Sequence, residues 1–278
     1  MNRAPFRLFL AVVLLCGSAS LSQVHPGRDQ PAHDLVHEVV SNELNAQQRD
    51  HTHWMYQLET EKAGAKEVMA VIETIDGDLT RLLSRNGQLL TAQQRKEEDQ
   101  RTEKFINNPE EQRKRQQDQN EDMRKAGQLL ALLPDALNFS YAERKGNTIK
   151  LNFQPNPAFR PPSREARAFH EMEGQLVVDE GQKRLTEIHG QLSNAVHFGL
   201  LGHLDPGGTL DMRQQEVSSK HWEITLLKVN MKGKALFFKK INVQQDEMRS
   251  HFRQVPDDLT LPQGREWLQK INYPFLDF

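Results

Sequence analysis

The stretch MEGQLVVDEGQKRLTEIHGQL, residues 172–192, decides the fold, because it alternates with a period of two, turns, and alternates again. Met172, Gly174, Leu176 and Val178 fall on one side of an extended chain, with Glu173, Gln175 and Val177 on the other. Glu180 and Gly181 supply a turn, since glycine reaches positive φ without steric cost. Beyond it Thr186, Ile188, Gly190 and Leu192 share a face opposite Leu185, Glu187, His189 and Gln191. Four more such runs follow, at 196–204, 209–217, 221–231 and 234–243, punctuated by Asp205-Pro206-Gly207-Gly208, Ser218-Ser219-Lys220 and Lys232-Gly233. Six strands joined by loops too short for crossover helices pair as antiparallel neighbours.

The last two runs are apolar on both sides. Trp222, Ile224 and Leu226 oppose Leu227, Val229 and Met231, and Leu236 and Phe238 oppose Phe237, Ile241 and Val243. Both faces of this part of the sheet therefore need cover. That predicts a sheet strongly curved around a helix or an apolar cavity.

Upstream of this region, two polar-flanked strands at 54–62 and 66–74 are joined by Ala63-Gly64-Ala65, and Asp76-Gly77 and Asn86-Gly87 are hairpin turns that place 79–84 beside 88–90. Residues 33–48 carry Leu35, Val36, Val39, Val40 and Leu44 at helical spacing, an amphipathic helix with one stripe to bury. The composition changes at Thr91: from 93 to 122 the only large apolar residues are Phe105 and Ile106. Thr91 with Gln94 has the form of a capping box, and Asn108, Pro109 and Glu111 give a second helix its N-cap, N1 proline and acidic first turn. This predicts a charged, solvated helical hairpin inserted at 91–133, ended by Pro134. Strands resume at 137–143 and 148–154, and the Pro-rich segment 155–163 is an extended loop. The predicted fold class is α+β: a curved antiparallel half-barrel of about eleven strands over 33–256, with that insertion and a tail at 257–278 whose apolar patch is Trp267, Leu268 and Ile271.

At the N-terminus, Arg3 and Arg7 precede an apolar run at 8–15 and the small residues Gly17, Ser18, Ala19 and Ser20. This is the order of a secretory signal peptide, expected over 1–22 and followed by a polar linker at 23–32. The run falls well short of the roughly 20 residues a spanning helix needs, so no transmembrane segment is expected in the mature chain. Cys16 is the only cysteine; the bulky Leu15 before it disfavours lipid attachment, and no intrachain disulfide can form. Loss of Arg3 and Arg7 takes Lys+Arg from 36 to 34 against 38 Asp+Glu, moving the formal charge from -2 to -4. That balance argues against a nucleic-acid partner.

The chemistry-bearing residues do not assemble into a known catalytic pattern. His33 and His37 stand four apart on a helix, and His51 and His53 share a strand face, but neither pair has the accompanying ligands of a zinc site. There is no G-x-S-x-G elbow, phosphate-binding loop or dinucleotide fingerprint, so neither a catalytic residue nor a cofactor is expected, and the chain is read as a non-enzyme. Trp54, Tyr56, Met172, Trp222 and Phe238 are the candidates to line an apolar ligand site. Arg160, Arg164 and Arg167, beside the Pro-rich loop, are the candidates to hold an anion or lipid headgroup.

In the order of its elements (signal peptide, amphipathic helix, antiparallel meander, helical interruption) the chain resembles the lipoprotein-localisation carrier superfamily, the LolA/LolB-like outer-membrane lipoprotein-sorting proteins, over roughly residues 33–255. Within it the chain resembles an uncharacterised bacterial branch with a Pro-Asn-Pro-x-aromatic-x-Pro-Pro-Ser-Arg loop, here at 155–164. The resemblance implies an unclosed, curved antiparallel sheet whose concave face receives acyl chains, in the periplasm or at the outer-membrane periphery. It implies a lipid or lipidated protein as partner. An alternative is an envelope structural protein whose 91–133 helices dock a protein partner, with no ligand cavity.

Overall fold

The computed structural model describes residues 30–271 except 63, 200–201 and 236–238, so the expected signal peptide and Phe238 lie outside the described residues. The chain opens with helix α1 (Ala32–Arg49), then strands β1 (His53–Lys62), β2 (Ala65–Ile72), β3 (Leu79–Arg85) and β4 (Gln88–Leu89). Helices α2 (Ala92–Ile106) and α3 (Pro109–Ala136) follow, then β5 (Leu137–Lys145), β6 (Thr148–Pro155), a 3-10 turn (Glu165–His170), β7 (Met172–Asp179) and β8 (Arg184–Leu192). The rest is β9 (Val196–His197), β10 (Gly202–Leu204), β11 (Thr209–Ser218), β12 (His221–Ala235), β13 (Lys239–Val255) and α4 (Leu261–Lys270). The protein is α+β, with the strands in one sheet ordered β4-β3-β2-β1-β13-β12-β11-β8-β7-β6-β5 and the small β9–β10 ladder set against β12. Every described pairing is antiparallel, and the sheet is not closed, β4 and β5 being its edges.

Those two edges are consecutive in the chain, and α2 and α3 are the connection between them. α2 lies along β3 and seals it with side chains: the Leu82 N–H donates to Glu98 Oε1 at 2.9 Å, and Arg101 Nη2 donates to the Thr80 carbonyl at 2.6 Å. An open edge is a template for pairing with another chain, and these two side chains occupy its donor and acceptor. α3, 28 residues and therefore about 42 Å long, runs from there to β5. The hairpin is thus not a free excursion: Phe105 is 4% exposed and packs with Leu79, Leu83, Leu261 and Leu268.

Local sequence accounts for the helix ends. Gln94 N–H donates to Thr91 Oγ1 at 3.2 Å while Thr91 N–H donates to Gln94 Oε1 at 2.8 Å, the reciprocal capping box. Glu111 N–H donates to Asn108 Oδ1 at 3.1 Å, starting α3 after the break at Asn107. Thr91→Ala is expected to lower the stability of the α2 segment by about 1 kcal/mol, read as faster amide exchange over 92–95. Unchanged exchange there would show that tertiary contacts alone hold the start of α2.

Four expectations need correction. Pro134 does not end α3, which continues to Ala136, because a proline in the last turn removes only one N–H while Leu133, Pro134 and Ala136 stay buried. The run 196–204 is not one strand but two short ones, β9 and β10, which lie off the main path of eleven strands. Lys232-Gly233 is not a turn: β12 runs through it with β13 on one side and β10 on the other. Gly233 is needed there because a Cβ would stand 2.1 Å from the His203 carbonyl oxygen. Finally, β13 does not stop at 243 but reaches Val255, with a bulge at His251, whose φ is 57°.

Three clusters hold these elements together. α1 and α3 cover β5–β8 through Leu35, Val36, Val39 and Leu133 against Leu151, Leu176, Leu185 and Leu192. α2 and α4 cover β1–β3 on the face of Met55, Ile72 and Leu79. Trp54, Tyr56 and Val71 form the third on the opposite face of β1 and β2, as the alternation of side chains requires. α1 is pinned by Glu43, 9% exposed, whose carboxylate takes Arg184 Nε and Nη2 at 2.9 Å each, the Leu185 N–H at 2.7 Å and Gln214 Nε2 at 2.8 Å.

Candidate ligand-binding site

Register decides which side chains share the face that α1 covers. Met212 pairs with Leu227 and Leu210 with Val229; Leu227 in turn pairs with Glu247, Val229 with Gln245 and Met231 with Val243, while Arg249 pairs with Leu58. Leu58, Tyr56 and Trp54 alternate onto this same side of β1. The face is therefore apolar on β11 and β12, polar along β13, and aromatic on β1. Leu210, Met212, Leu227, Val229 and Met231 are all half-buried, and Val243 is 45% exposed. α1 packs on β8 and β5, so this strip lies beside its principal footprint.

The aromatic part is well packed. Tyr56 stacks on Phe252 at 5.2 Å between centroids, and Trp54 meets the edges of Phe252 at 6.3 Å and His221 at 5.7 Å. Trp54 and Tyr56 are only 3% and 6% exposed, and the Trp54 Nε1 has no hydrogen-bond partner among the described residues.

Around this cluster stand four ionisable side chains from four strands or strand ends. Arg249, from β13, lies with its Cζ 5.8 Å from the Tyr56 ring centroid and donates from Nη2 to Glu247 at 3.2 Å. Glu73, just after β2, accepts the Trp54 N–H at 2.8 Å, and Asp78 accepts Gln119 Nε2 of α3 at 3.0 Å. Burial is the main cause that pushes the Glu73 carboxyl up to about 8, with the neighbouring charge of Asp78 adding to it. Burial likewise raises Asp78, against the Gln119 hydrogen bond and the nearby Arg249 and Arg115, and it raises Glu223 of β12, against Arg249. The Tyr56 hydroxyl is raised by burial as well. At neutral pH Glu73 is thus a carboxylic acid, able to donate as well as accept.

The sequence candidates divide. Trp54 and Tyr56 come together as a unit. Trp222 lies beside Arg184, whose Cζ is 5.5 Å from its ring centroid, and donates from Nε1 to Gln182 at 3.1 Å. Met172 belongs to the α1–α3 cluster, 8% exposed and packed so close to Gly190 that a Cβ there would meet its sulfur at 3.2 Å, so it is core. The three arginines do not converge on one anion site through any described contact. Arg160 Nη1 donates to the Pro157 and Phe159 carbonyls at 3.3 and 3.2 Å, Arg167 Nη1 reaches the His197 carbonyl at 3.4 Å, and Arg164 is exposed. Arg160 does line a surface depression of about 380 Å³ with His33, Asn156 and Phe159. No set of three His, Cys, Asp or Glu side chains among the described residues is placed to hold a metal ion.

Glu73, Asp78, Glu223 and Arg249 were not distinguished by the sequence. The usable signal was the alternation of Gln245, Glu247 and Arg249 on an inward face of β13, visible only once that strand is carried past 243. Among the described residues no helix is long and apolar enough to cross a membrane. Comparison with known proteins finds no family model, no curated protein and no solved structure that matches the chain.

Proposed function

We propose that this chain is an exported, non-enzymatic envelope protein that takes an apolar or lipidated ligand on the inner face of a sheet curved into a half-barrel, as the lipoprotein-localisation carriers do. The observation that carries this reading is the half-buried strip Leu210, Met212, Leu227, Val229 and Met231, continued by Val243, on the α1 side of the sheet. Contiguous apolar surface of this kind marks a contact with something else. Its border on β13 is polar, and Arg249 there suits the acidic or phosphate end of an amphiphile. With Glu73 protonated at neutral pH, the neighbouring acids repel such a ligand less than their number suggests. One observation favours a second reading, docking of an envelope protein by the 91–133 helices: the charged surface of α3 leaves Met123 51% exposed.

Each methylene buried contributes about 0.8 kcal/mol, so affinity for saturated fatty acids is expected to rise up to about fourfold per added methylene. Titration of the purified protein with an eight- to fourteen-carbon series tests this, with Leu227→Asp and, as a milder change, Trp222→Ala. Affinity that grows with chain length and falls in a variant that still unfolds cooperatively supports the carrier. A flat series, or no binding at all, moves the assignment to the docking protein. Export is tested by intact mass of material from the native envelope, where a new N-terminus near Leu21 or Gln23 is expected and recovery of the full-length chain from cytoplasm excludes it.

A further inference from the structure

The other side of the sheet, over β5–β8, carries a depression of about 620 Å³ that the carrier reading does not use. Two rows of side chains cross it in register. In the first, Ser140 pairs with Asn152, Asn152 with Gln175, and Gln175 with His189, which ends the row in contact with Asp211. In the second, Asn138 pairs with Gln154, and Glu173 pairs with Gln191. All eight side chains in these rows that line the depression are exposed. Neighbouring strands lie about 4.8 Å apart, so the rows span about 14 Å from β5 to β8.

The floor between the rows is bare backbone. Gly174 pairs with Gly190, and both face the core side with Met172 and Leu176, where a Cβ at Gly174 would stand 1.9 Å from the His189 carbonyl oxygen and one at Gly190 would meet the Met172 sulfur at 3.2 Å, so β7 and β8 pass close together beneath the rows.

The lining selects a class of ligand by what it holds and what it omits. Gln175 Nε2 donates to Asn152 Oδ1 at 3.1 Å, which leaves the Asn152 amide nitrogen and the Gln175 carbonyl oxygen without a partner among the described residues. Gln154 and Gln191 are likewise not engaged by any described side-chain hydrogen bond. Amides present donors and acceptors together, as do sugar hydroxyls. No lysine or arginine lines the depression, and Glu173 and Asp211 are acidic, so phosphate, carboxylate and nucleic acid are disfavoured. Of the two phenylalanines at the wall, Phe153 is 4% exposed and turned into the core and Phe139 is half-buried against it, so the lining offers a lipid little apolar surface.

We infer that this depression is a second binding site, for an uncharged, hydroxyl-rich oligosaccharide laid across strands β5–β8. The site is independent of the apolar strip, which lies on the other face of the same sheet. The test is calorimetric or NMR titration of the full chain with chitotetraose, maltotetraose and, as an uncharged peptide, tetraglycine. The wild type is compared with Asn152→Ala/Gln175→Ala, both exposed positions at which folding is retained. Binding of a tetrasaccharide that the double variant weakens about tenfold or more is expected, each amide contributing about 1 kcal/mol. Fatty-acid binding in the same variant should be unchanged. No tetrasaccharide bound at millimolar concentration, equal binding by the double variant, or preference for the peptide overturns the inference, whatever the fatty-acid result.

Discussion

Replacing Glu43 by alanine is expected to cost about 3–5 kcal/mol of folding stability, the loss that follows when one partner of a buried ion pair is removed. Glu43 and Arg184 are 9% and 13% exposed at their side chains, and the bidentate pair joins α1 to the start of β8. The same carboxylate accepts the Leu185 N–H and Gln214 Nε2, so its removal strands a guanidinium and a backbone donor, while the Gln214 amide keeps only its bond to the Leu185 carbonyl. Urea unfolding followed by circular dichroism measures the loss. The pair itself is not worth that much, because most of the cost is the charge left behind; Glu43→Leu with Arg184→Met should recover a large part of it. A loss below about 1 kcal/mol in Glu43→Ala would mean that water reaches Arg184 and that α1 is held by its apolar stripe alone.

The second large effect is a fall in stability as the pH rises from about 5 to 8. Glu73 has its carboxyl raised from 4.5 to about 8 in the folded protein, so between those values the native state keeps a proton that the unfolded chain has released. Stability then decreases with pH, by up to about 1.4 kcal/mol per pH unit for one proton, is fully present below about 4.5 and is lost through about 8. Asp78 and Glu223 are raised in the same direction by burial and add slope of the same sign. The groups that face Glu73 are Asp78 and Glu223, which oppose its ionisation, and Arg249 and the Trp54 N–H, which favour it. Glu73→Gln keeps an acceptor for Trp54 and removes the proton. It should match the wild type near pH 5 and exceed it at pH 8 to 9, and a slope identical to that of the wild type would show that Glu73 is hydrated and ionises freely.

Because Asp78 is the residue to which α3 fastens through Gln119, the same pH range acts on the connection between the two sheet edges. Once ionised, Glu73 and Asp78 repel one another, with Arg249 and, at Asp78, Arg115 opposing the repulsion in part. The attachment of α3 is therefore expected to weaken together with overall stability as the pH is raised.

Much of the secondary structure was legible because its causes are local. The period of two in 172–192, the glycines at positive φ in Gly77 and Gly87, the Thr91–Gln94 box and the Asn108 cap act within a few residues, and each produced its element where expected. The apolar stripe of α1, from Leu35 to Val40, likewise announced a buried face. Which elements meet was not local. β1 pairs with β13 nearly 200 residues away, β11 passes over β10 to pair with β8, and α2 seals β3 through two side chains that read as ordinary surface charges, Glu98 and Arg101. Gly233 looked like a turn because glycine permits one, and only the close passage of the His203 carbonyl makes it a strand residue. Phe105, one apolar residue in a charged helix, proved to be core because β3 and α4 surround it. The ionisable groups at Tyr56 were the least legible of all: Glu73, Asp78, Glu223 and Arg249 have the same local signature as solvated charges. Pattern and turn chemistry by themselves determined the strands, the helices and the antiparallel class. Burial, which depends on contacts between distant segments, decided the strand order, the sealing of the edge and the chemical state of the carboxyls, since desolvation is a property of the assembled fold and not of any short stretch of chain.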